Sequence, residues 1–178
     1  MAITELSYLK VEDIEAKAAE LADRHGMVEI PIDVVALAVQ EGLSVNLALF
    51  DDETISGQII RDQDGKTSIY VRKTDPTNRI RFTVAHELGH HMLGHLEDRE
   101  EIVDKDSMLY RQPSDPGKIS DPKHRAEIQA NLFAAGLLMP REAVIRAWQA
   151  RRSLKELARM FRVSEQAMQI RINQLELW

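Results

Sequence analysis

A stretch of five residues, His86-Glu87-Leu88-Gly89-His90, carries the pattern H-E-x-x-H. On an α-helix, positions i and i+4 lie about one turn apart on the same face. His86 and His90 can therefore direct imidazole nitrogens at one metal ion, with Glu87 beside them to polarise a water molecule. The pattern predicts metal-assisted hydrolysis. The alternative is a surface helix that carries two histidines and a solvated glutamate.

A catalytic zinc site needs a third protein ligand and keeps one position for water. Our candidate is Glu127, in a later helical segment rich in alanine. Asn131 follows Glu127 by one helical turn and can accept the second N–H of a ligand histidine. The alternative is that Glu127 is a solvated helix residue. Three rival carboxylates follow the second histidine too closely in the chain to fold back easily: Glu97, Glu100 and Glu101.

Two further histidines, His91 and His95, lie about 140° and 180° round the helix from His86. We expect them to be surface residues or to support a ligand from behind. Peptide hydrolysis also needs a donor for the developing oxyanion, and four side chains remain open for this role: Tyr70, Tyr110, His124 and Arg125. A strand over residues 67–72 could offer an open edge to an extended substrate.

The elements that must position these residues follow from hydrophobic periodicity and from Gly and Pro punctuation. Residues 96–121 form a charged segment without periodicity, which is interpreted as a wall or lid of the cleft or as a disordered insertion. The fold class predicted is α+β, with a small antiparallel three-stranded sheet packed on helices. The predicted helices cover residues 11–24, 32–40, 76–95 and 122–139, and the predicted strands cover residues 43–49, 56–61 and 67–72.

The last segment of the chain has the pattern of a helix-turn-helix, with Ser164 capping its second helix. Arg162 stands where such turns usually carry glycine, which weakens the match. DNA contact is one interpretation, and docking of a helical hairpin on the core or on a partner is the other. We favour docking because the second helix is nearly neutral, whereas phosphate contacts supply most DNA affinity. We divide the chain into a metallopeptidase domain, residues 1–150, and a helix-turn-helix-like extension, residues 151–178.

Length and composition limit the class of protein. The chain has 178 residues, 44% of them hydrophobic, and a formal net charge of −6, which is unlike a general nucleic-acid binder. It contains no cysteine, so disulfides and cysteine-ligated zinc are excluded. The sequence lacks a signal-peptide pattern and a long apolar span, and we therefore expect a cytoplasmic protein without membrane insertion.

Two motifs together carry a resemblance to a known family. The stretch R-F-T-V-A-H-E-L-G-H-H-M-L-G-H, followed later by E-I-Q-A-N-L-F-A-A-G-L-L-M-P, resembles the ImmA/IrrE zinc metallopeptidases. The resemblance implies a gluzincin-like core with one Zn²⁺ per chain, held by His86, His90 and Glu127, and with Glu87 as catalytic base. The chain departs from the family at Gln129, where many members carry a second acid. It is also expected to lack the C-terminal sensor domain of the longer members.

The family resemblance further implies a function and a partner. It implies cleavage of a cytoplasmic helix-turn-helix transcriptional repressor, which relieves repression of a mobile-element or stress-response operon. The alternative is a non-proteolytic regulator that binds a repressor or DNA, with a metal that is structural or absent. An intact Glu87 favours the peptidase, because a purely structural metal site needs no base.

Overall fold

The computed structural model describes residues 9–97, 100–105 and 121–177. Within these ranges no helix is both long and apolar enough to cross a membrane. The described chain forms seven helices and four strands, in the order α1 (Val11–Arg24), α2 (Val34–Gln40), β1 (Ser44–Ala48), β2 (Ile55–Arg61), β3 (Thr67–Arg72), α3 (Thr77–Met92), β4 (Glu101–Lys105), α4 (Pro122–Leu138), α5 (Arg141–Gln149), α6 (Leu154–Phe161) and α7 (Glu165–Gln174).

The four strands form one mixed sheet with the spatial order β1-β3-β2-β4. Strand β2 pairs antiparallel with β3 and with β4, whereas β1 pairs parallel with β3. The α+β class holds, but the prediction of an antiparallel three-stranded sheet is wrong in both strand number and direction. The fourth strand lies in the segment 96–121, which had been expected to lack regular structure.

The prediction of an open edge at residues 67–72 is also wrong. These residues form β3, which pairs with β1 on one side and β2 on the other. Its backbone groups are therefore used within the sheet, and a substrate strand cannot add to it. The edges of the described sheet belong to β1 and β4.

The helices build layers around the central helix α4. Helix α3 packs against β2 and β3 on one side and against α4 on the other, and α1 also packs on α4. Because α4 is enclosed in this way, its second half, residues 132–138, is apolar all round, as a buried helix must be. The sheet faces the layer that carries the H-E-x-x-H motif. The side chains at the centre of these layers are aliphatic or aromatic: Ile14, Leu21, Ile59, Ile69, Val84, Leu88, Phe133 and Leu137.

The C-terminal helices α6 and α7 pack on each other as a hairpin. Ser153 and Glu156 form a capping box at the start of α6, and Ser164 caps α7 by accepting from the Ala167 N–H. Arg162 adopts φ of 53° in the turn, a left-handed conformation that costs on the order of 1–3 kcal/mol for a residue other than glycine. Local capping therefore defines the hairpin despite the unfavourable turn residue.

A buried arginine joins helix α7 to the rest of the protein. The Arg171 side chain is 1% exposed, its Nε donates to the Met139 carbonyl at 3.0 Å, and its guanidinium pairs with Glu15 on α1. Gln169 and Asn173, on the opposite side of α7, are exposed and bond to each other. This arrangement supports docking of the hairpin on the core. The division into residues 1–150 and 151–178 stays a prediction, as does DNA contact.

Candidate metal centre

Helix α3 brings three of the predicted site residues together. His86, Glu87 and His90 are all fully buried, and the two Nε2 atoms of the histidines lie 3.0 Å apart. His86 and His90 lie about one helical turn apart on the same face of α3. Two ring nitrogens this close, both turned toward one point, form a chelating pair that a cation can bridge.

Helix α4 brings Glu127 to the same point. Glu127 Oε2 lies 3.5 Å from His86 Nε2, and Oε1 lies 3.7 Å from His90 Nε2. The helices can approach this closely because Gly89 faces α4. A Cβ at Gly89 would meet Phe133 and the Ala130 carbonyl at 3.1–3.2 Å. The rival carboxylates Glu97, Glu100 and Glu101 are exposed, in contrast to Glu127.

A fourth donor, Asp104 on β4, was missed in the sequence. Its side chain is fully buried, and its Oδ2 lies 3.0 Å from His86 Nε2 and 3.6 Å from His90 Nε2. The sequence pattern that could have predicted Asp104 is weak, because the residue lies at a core-facing position of a strand, where an apolar residue is expected. Only the alternation of Ile102 with Asp104, set against exposed Glu101 and Lys105, points to it.

The four side chains fit a divalent metal. One ligand atom from each of His86, His90, Asp104 and Glu127 lies within 4.8 Å of all the others. Metal–ligand bonds of about 2.0–2.1 Å in a tetrahedron require ligand atoms about 3.3–3.4 Å apart, and the contacts above of 3.0–3.7 Å surround this value. Both Asp104 oxygens and Glu127 Oε2 are buried without a hydrogen-bond partner among the described residues, a cost that a cation would remove.

The pKa shifts of the buried groups also indicate a site that favours a cation. Burial, reinforced by the charges of Asp104 and Glu127, raises the pKa of Glu87 well above its ordinary value. Burial opposes a charged His86 ring, but the two neighbouring carboxylates outweigh it and raise the pKa of His86. Burial likewise opposes ionised Asp104, yet His86 and His90 lower its pKa. Three buried carboxyl groups therefore depend on positive charge that protons or a metal ion must supply.

Each histidine is oriented from behind through its Nδ1 atom. With Nε2 turned toward the metal position, His86 Nδ1–H donates to Asn131 Oδ1 at 2.9 Å. His90 Nδ1–H donates to His95 Nδ1 at 2.8 Å, and His95 Nε2–H donates to Gln129 Oε1 at 3.0 Å. These contacts fix the ring orientation and the tautomer of both ligand candidates. His95 is 4% exposed, so it is a supporting residue and not a surface one.

Strand β2 leaves room for Glu87 at Gly57. A Cβ at Gly57 would overlap Glu87 Oε1 and Thr83 Cγ2. Gly57 lies opposite Asp104 in the pairing of β2 with β4. Glu87 and Asp104 therefore meet above a position that must lack a side chain.

The substitution Gly57→Ala is expected to push Glu87 out of position while the two histidines and Glu127 remain. We expect turnover to fall by about 100-fold, since misplacement of a catalytic group by about 1 Å can cost that much. Zinc affinity should change only a few-fold. Gly136→Ala is the control, because its Cβ would meet only ordinary contacts of 3.4 Å or more. Normal turnover of Gly57→Ala would contradict the placement.

The four candidate oxyanion donors fall in different places. Tyr70 lies on β3 next to the buried Ile69 and Val71, so it projects from the sheet face opposite theirs. Because Gly57 pairs with Val71, Tyr70 also points away from Glu87, and this placement disfavours it. His124 and Arg125 are partly buried in the first turn of α4. Tyr110 lies outside the described residues, as does the proline-containing segment 112–117.

Fold and site together define an α+β protein with a candidate metal site, two of whose four residues lie on the helix of the H-E-x-x-H pattern. Residues 38–173 match the model of the peptidase M78 family, described as the IrrE N-terminal-like domain. The chain belongs to this family, and the resemblance found in its motifs is confirmed. Comparison with curated proteins gave no match.

A solved structure with a similar fold is a Mycobacterium tuberculosis transcriptional regulator. The two chains are 22% identical, with a TM-score of 0.64. The match covers 94% of this chain and 48% of the regulator, so this chain spans about half of that protein's length. At this identity the likeness shows a shared fold.

Proposed function

We propose that the protein is a zinc metalloendopeptidase that cleaves a helix-turn-helix transcriptional repressor in the cytoplasm. The observation that carries the proposal is the convergence of His86, His90 and Glu127 beside Glu87, in a member of a peptidase family. Cleavage would relieve repression of a mobile-element or stress-response operon. The likeness to a transcriptional regulator supports a role in transcription control.

In this proposal His86, His90 and Glu127 hold the zinc ion, with Asn131 and His95 behind the histidines. Two nitrogens and one carboxylate form the ligand set of many catalytic zinc sites. When bound, zinc acts as a Lewis acid that polarises the scissile carbonyl and lowers the pKa of water toward about 7.

Glu87 moves the proton. Its two carboxylate oxygens are buried and make no hydrogen bond among the described residues, so both lone-pair sets are available. Burial and the charges of Asp104 and Glu127 raise the pKa of its carboxyl, and a bound cation would lower that pKa again. Glu87 accepts a proton from the attacking water as oxygen bonds to the carbonyl carbon. It then returns this proton to the amide nitrogen as the C–N bond breaks.

The oxyanion donor stays open among the candidates. His124 and Arg125 lie at the start of the helix that carries Glu127, and Tyr110 lies between β4 and α4 in the chain. Removal of one oxyanion donor typically slows turnover by about 10²–10³-fold, which sets the size of effect to look for in each variant.

The test is cleavage of a helix-turn-helix repressor, chosen first from any such reading frame found beside this one. The repressor is incubated with the full chain, with and without a chelator, and its intact mass is measured. We expect two fragments whose masses add up to that of the repressor plus one water, loss of cleavage with chelator, and recovery on adding zinc. An unchanged mass in every sample, with a stable complex between the two proteins, would contradict the proposal.

A second function, a non-proteolytic regulator that binds a repressor or DNA, is favoured by one observation. Asp104 is a fourth buried donor, and four protein ligands are typical of structural zinc sites. In that case the repressor or DNA is bound and released intact. Glu87 argues against this alternative, because a buried carboxylate without a hydrogen bond is costly and has no structural use there.

A further inference from the structure

Asp104 does not fit a peptidase centre with an open position. Its Oδ2 is as close to the two Nε2 atoms, at 3.0 and 3.6 Å, as the oxygens of Glu127, at 3.5 and 3.7 Å. Both of its oxygens are buried, and neither accepts a hydrogen bond among the described residues. The donor set is therefore complete without water, whereas a catalytic zinc site leaves one position open.

The charge of this donor set would also weaken the metal. Two neutral imidazoles and two carboxylates cancel the charge of a divalent ion, whereas two imidazoles and one carboxylate leave a net positive charge. A centre with less positive charge polarises a carbonyl and acidifies water less strongly. An enclosed centre of this composition suits binding of the metal better than hydrolysis.

Strand β4 also occupies an edge that a substrate would need. It pairs antiparallel with β2, in a register that puts Asp104 opposite Gly57, the residue beneath Glu87. Proteases commonly bind an extended peptide as an added strand. Strand β2, which carries Gly57, has β3 on one side and β4 on the other, so a substrate strand can pair with β2 only where β4 has left it.

Strand β4 lies at the edge of the sheet and pairs with β2 alone. Side-chain contacts also tie it to the rest of the protein: Ser56 Oγ donates to the Asp104 carbonyl at 3.3 Å, and Lys105 pairs with Asp52 at 2.8 Å. The strand has five residues, of which only Ile102 and Asp104 are buried, and its pairing with β2 shifts register between Ile55 and Gly57. A short edge strand with one core residue can leave the sheet at a lower cost than a central strand. Asp104 is the one polar side chain that β4 buries.

We propose that Asp104 is an internal fourth ligand of the metal and that β4 occupies the substrate's strand position, so that this is a latent state. Substrate enters when β4 leaves β2 and takes Asp104 with it. This inference rests on the proposed function, since latency has meaning only for a site that otherwise reacts. It assigns Asp104 a regulatory role that the other three donors do not share.

The test compares the cobalt-substituted full chain with its Asp104→Asn variant. The first readout is the visible absorption of cobalt(II), which changes with the number and type of ligands. The second is the affinity for acetohydroxamate, a small chelating probe that needs an open position. We expect the variant to show an altered spectrum and about tenfold tighter hydroxamate binding, which corresponds to an open state populated roughly one time in ten in the wild type.

Two further variants complete the design. Glu101→Gln removes the charge of an exposed carboxylate on the same strand but keeps an oxygen that can accept from Gln58 Nε2, so it should behave as the wild type. Asp104→Ala removes the carboxylate altogether and replaces the asparagine variant if that one fails to fold. Identical spectra and identical hydroxamate affinity for wild type and Asp104 variants would overturn the inference.

These readouts separate the inference from the proposed function. If the spectrum and probe affinity change but no variant cleaves repressor, Asp104 is a ligand and the peptidase proposal fails. If the wild type cleaves repressor while spectrum and probe affinity stay unchanged in the variant, the peptidase stands and the latent state is wrong.

Discussion

Replacement of Glu87 by glutamine is expected to abolish peptide hydrolysis and to leave metal binding intact. Glutamine has the shape of glutamate but cannot take a proton from water, and general acid–base catalysis typically contributes about 10²–10⁴-fold. We expect turnover to fall by this amount. The measurement is the rate of repressor cleavage by the zinc-loaded variant, with zinc content determined on the same sample.

The fold of the Glu87→Gln variant should be as stable as that of the wild type. The charges of Asp104 and Glu127 disfavour an ionised Glu87, and this repulsion is absent for a neutral amide at the same position. Glu97→Gln, at an exposed position shortly after α3, is the matched control and should keep full activity. Full activity of Glu87→Gln would exclude Glu87 as the base and would sink the proposed mechanism.

The second large effect is expected for Glu127→Gln, which tests the third ligand. Changes in residues that only support metal ligands cost about 10–100-fold in metal affinity. Loss of a ligand carboxylate should reach at least the upper end of this range. The measurement is a zinc titration against a chromophoric chelator, followed by cleavage assays at saturating zinc.

Glu142→Gln is the matched control for this experiment, because Glu142 is exposed on the neighbouring helix α5. Its zinc affinity should equal that of the wild type. If Glu127→Gln binds zinc as tightly as the wild type does, then Asp104 and the two histidines hold the ion without Glu127. That result would move the third-ligand role from α4 to β4.

The two experiments bear on one question, the number of carboxylates that the metal uses. Three carboxyl groups surround two histidines, and a hydrolytic centre needs one of them free for the proton. Glu87 has this role in our proposal, Glu127 binds the metal permanently, and Asp104 binds it only in the latent state. We therefore expect a different effect from each variant. Glu87→Gln should lose turnover, Glu127→Gln should lose metal affinity, and Asp104→Asn should bind the hydroxamate probe more tightly.

The sequence predicted best those features that arise within a single helix or strand. The helix of the H-E-x-x-H motif, the approach of Glu127 and the pairing of Asn131 with the His86 ring were all derived from helical spacing or small-residue patterns. Helix α1 and strand β3 have the predicted bounds. The spacing within each helix depends on residues three or four positions apart, which a helix brings together whatever the rest of the chain does. The contact between α3 and α4 joins residues more than forty positions apart, and it was predicted from the motif context and from the small residues that allow close approach.

The remaining features depend on contacts between distant segments. The parallel pairing of β1 with β3 and the position of β4 on β2 join residues that no local pattern relates. A five-residue edge strand with a buried aspartate lacks the regular apolar alternation that predicts a strand. The sequence by itself therefore predicted a base and three candidate metal ligands. Only the tertiary structure places a fourth carboxylate, Asp104, beside them, because strand register is a non-local choice.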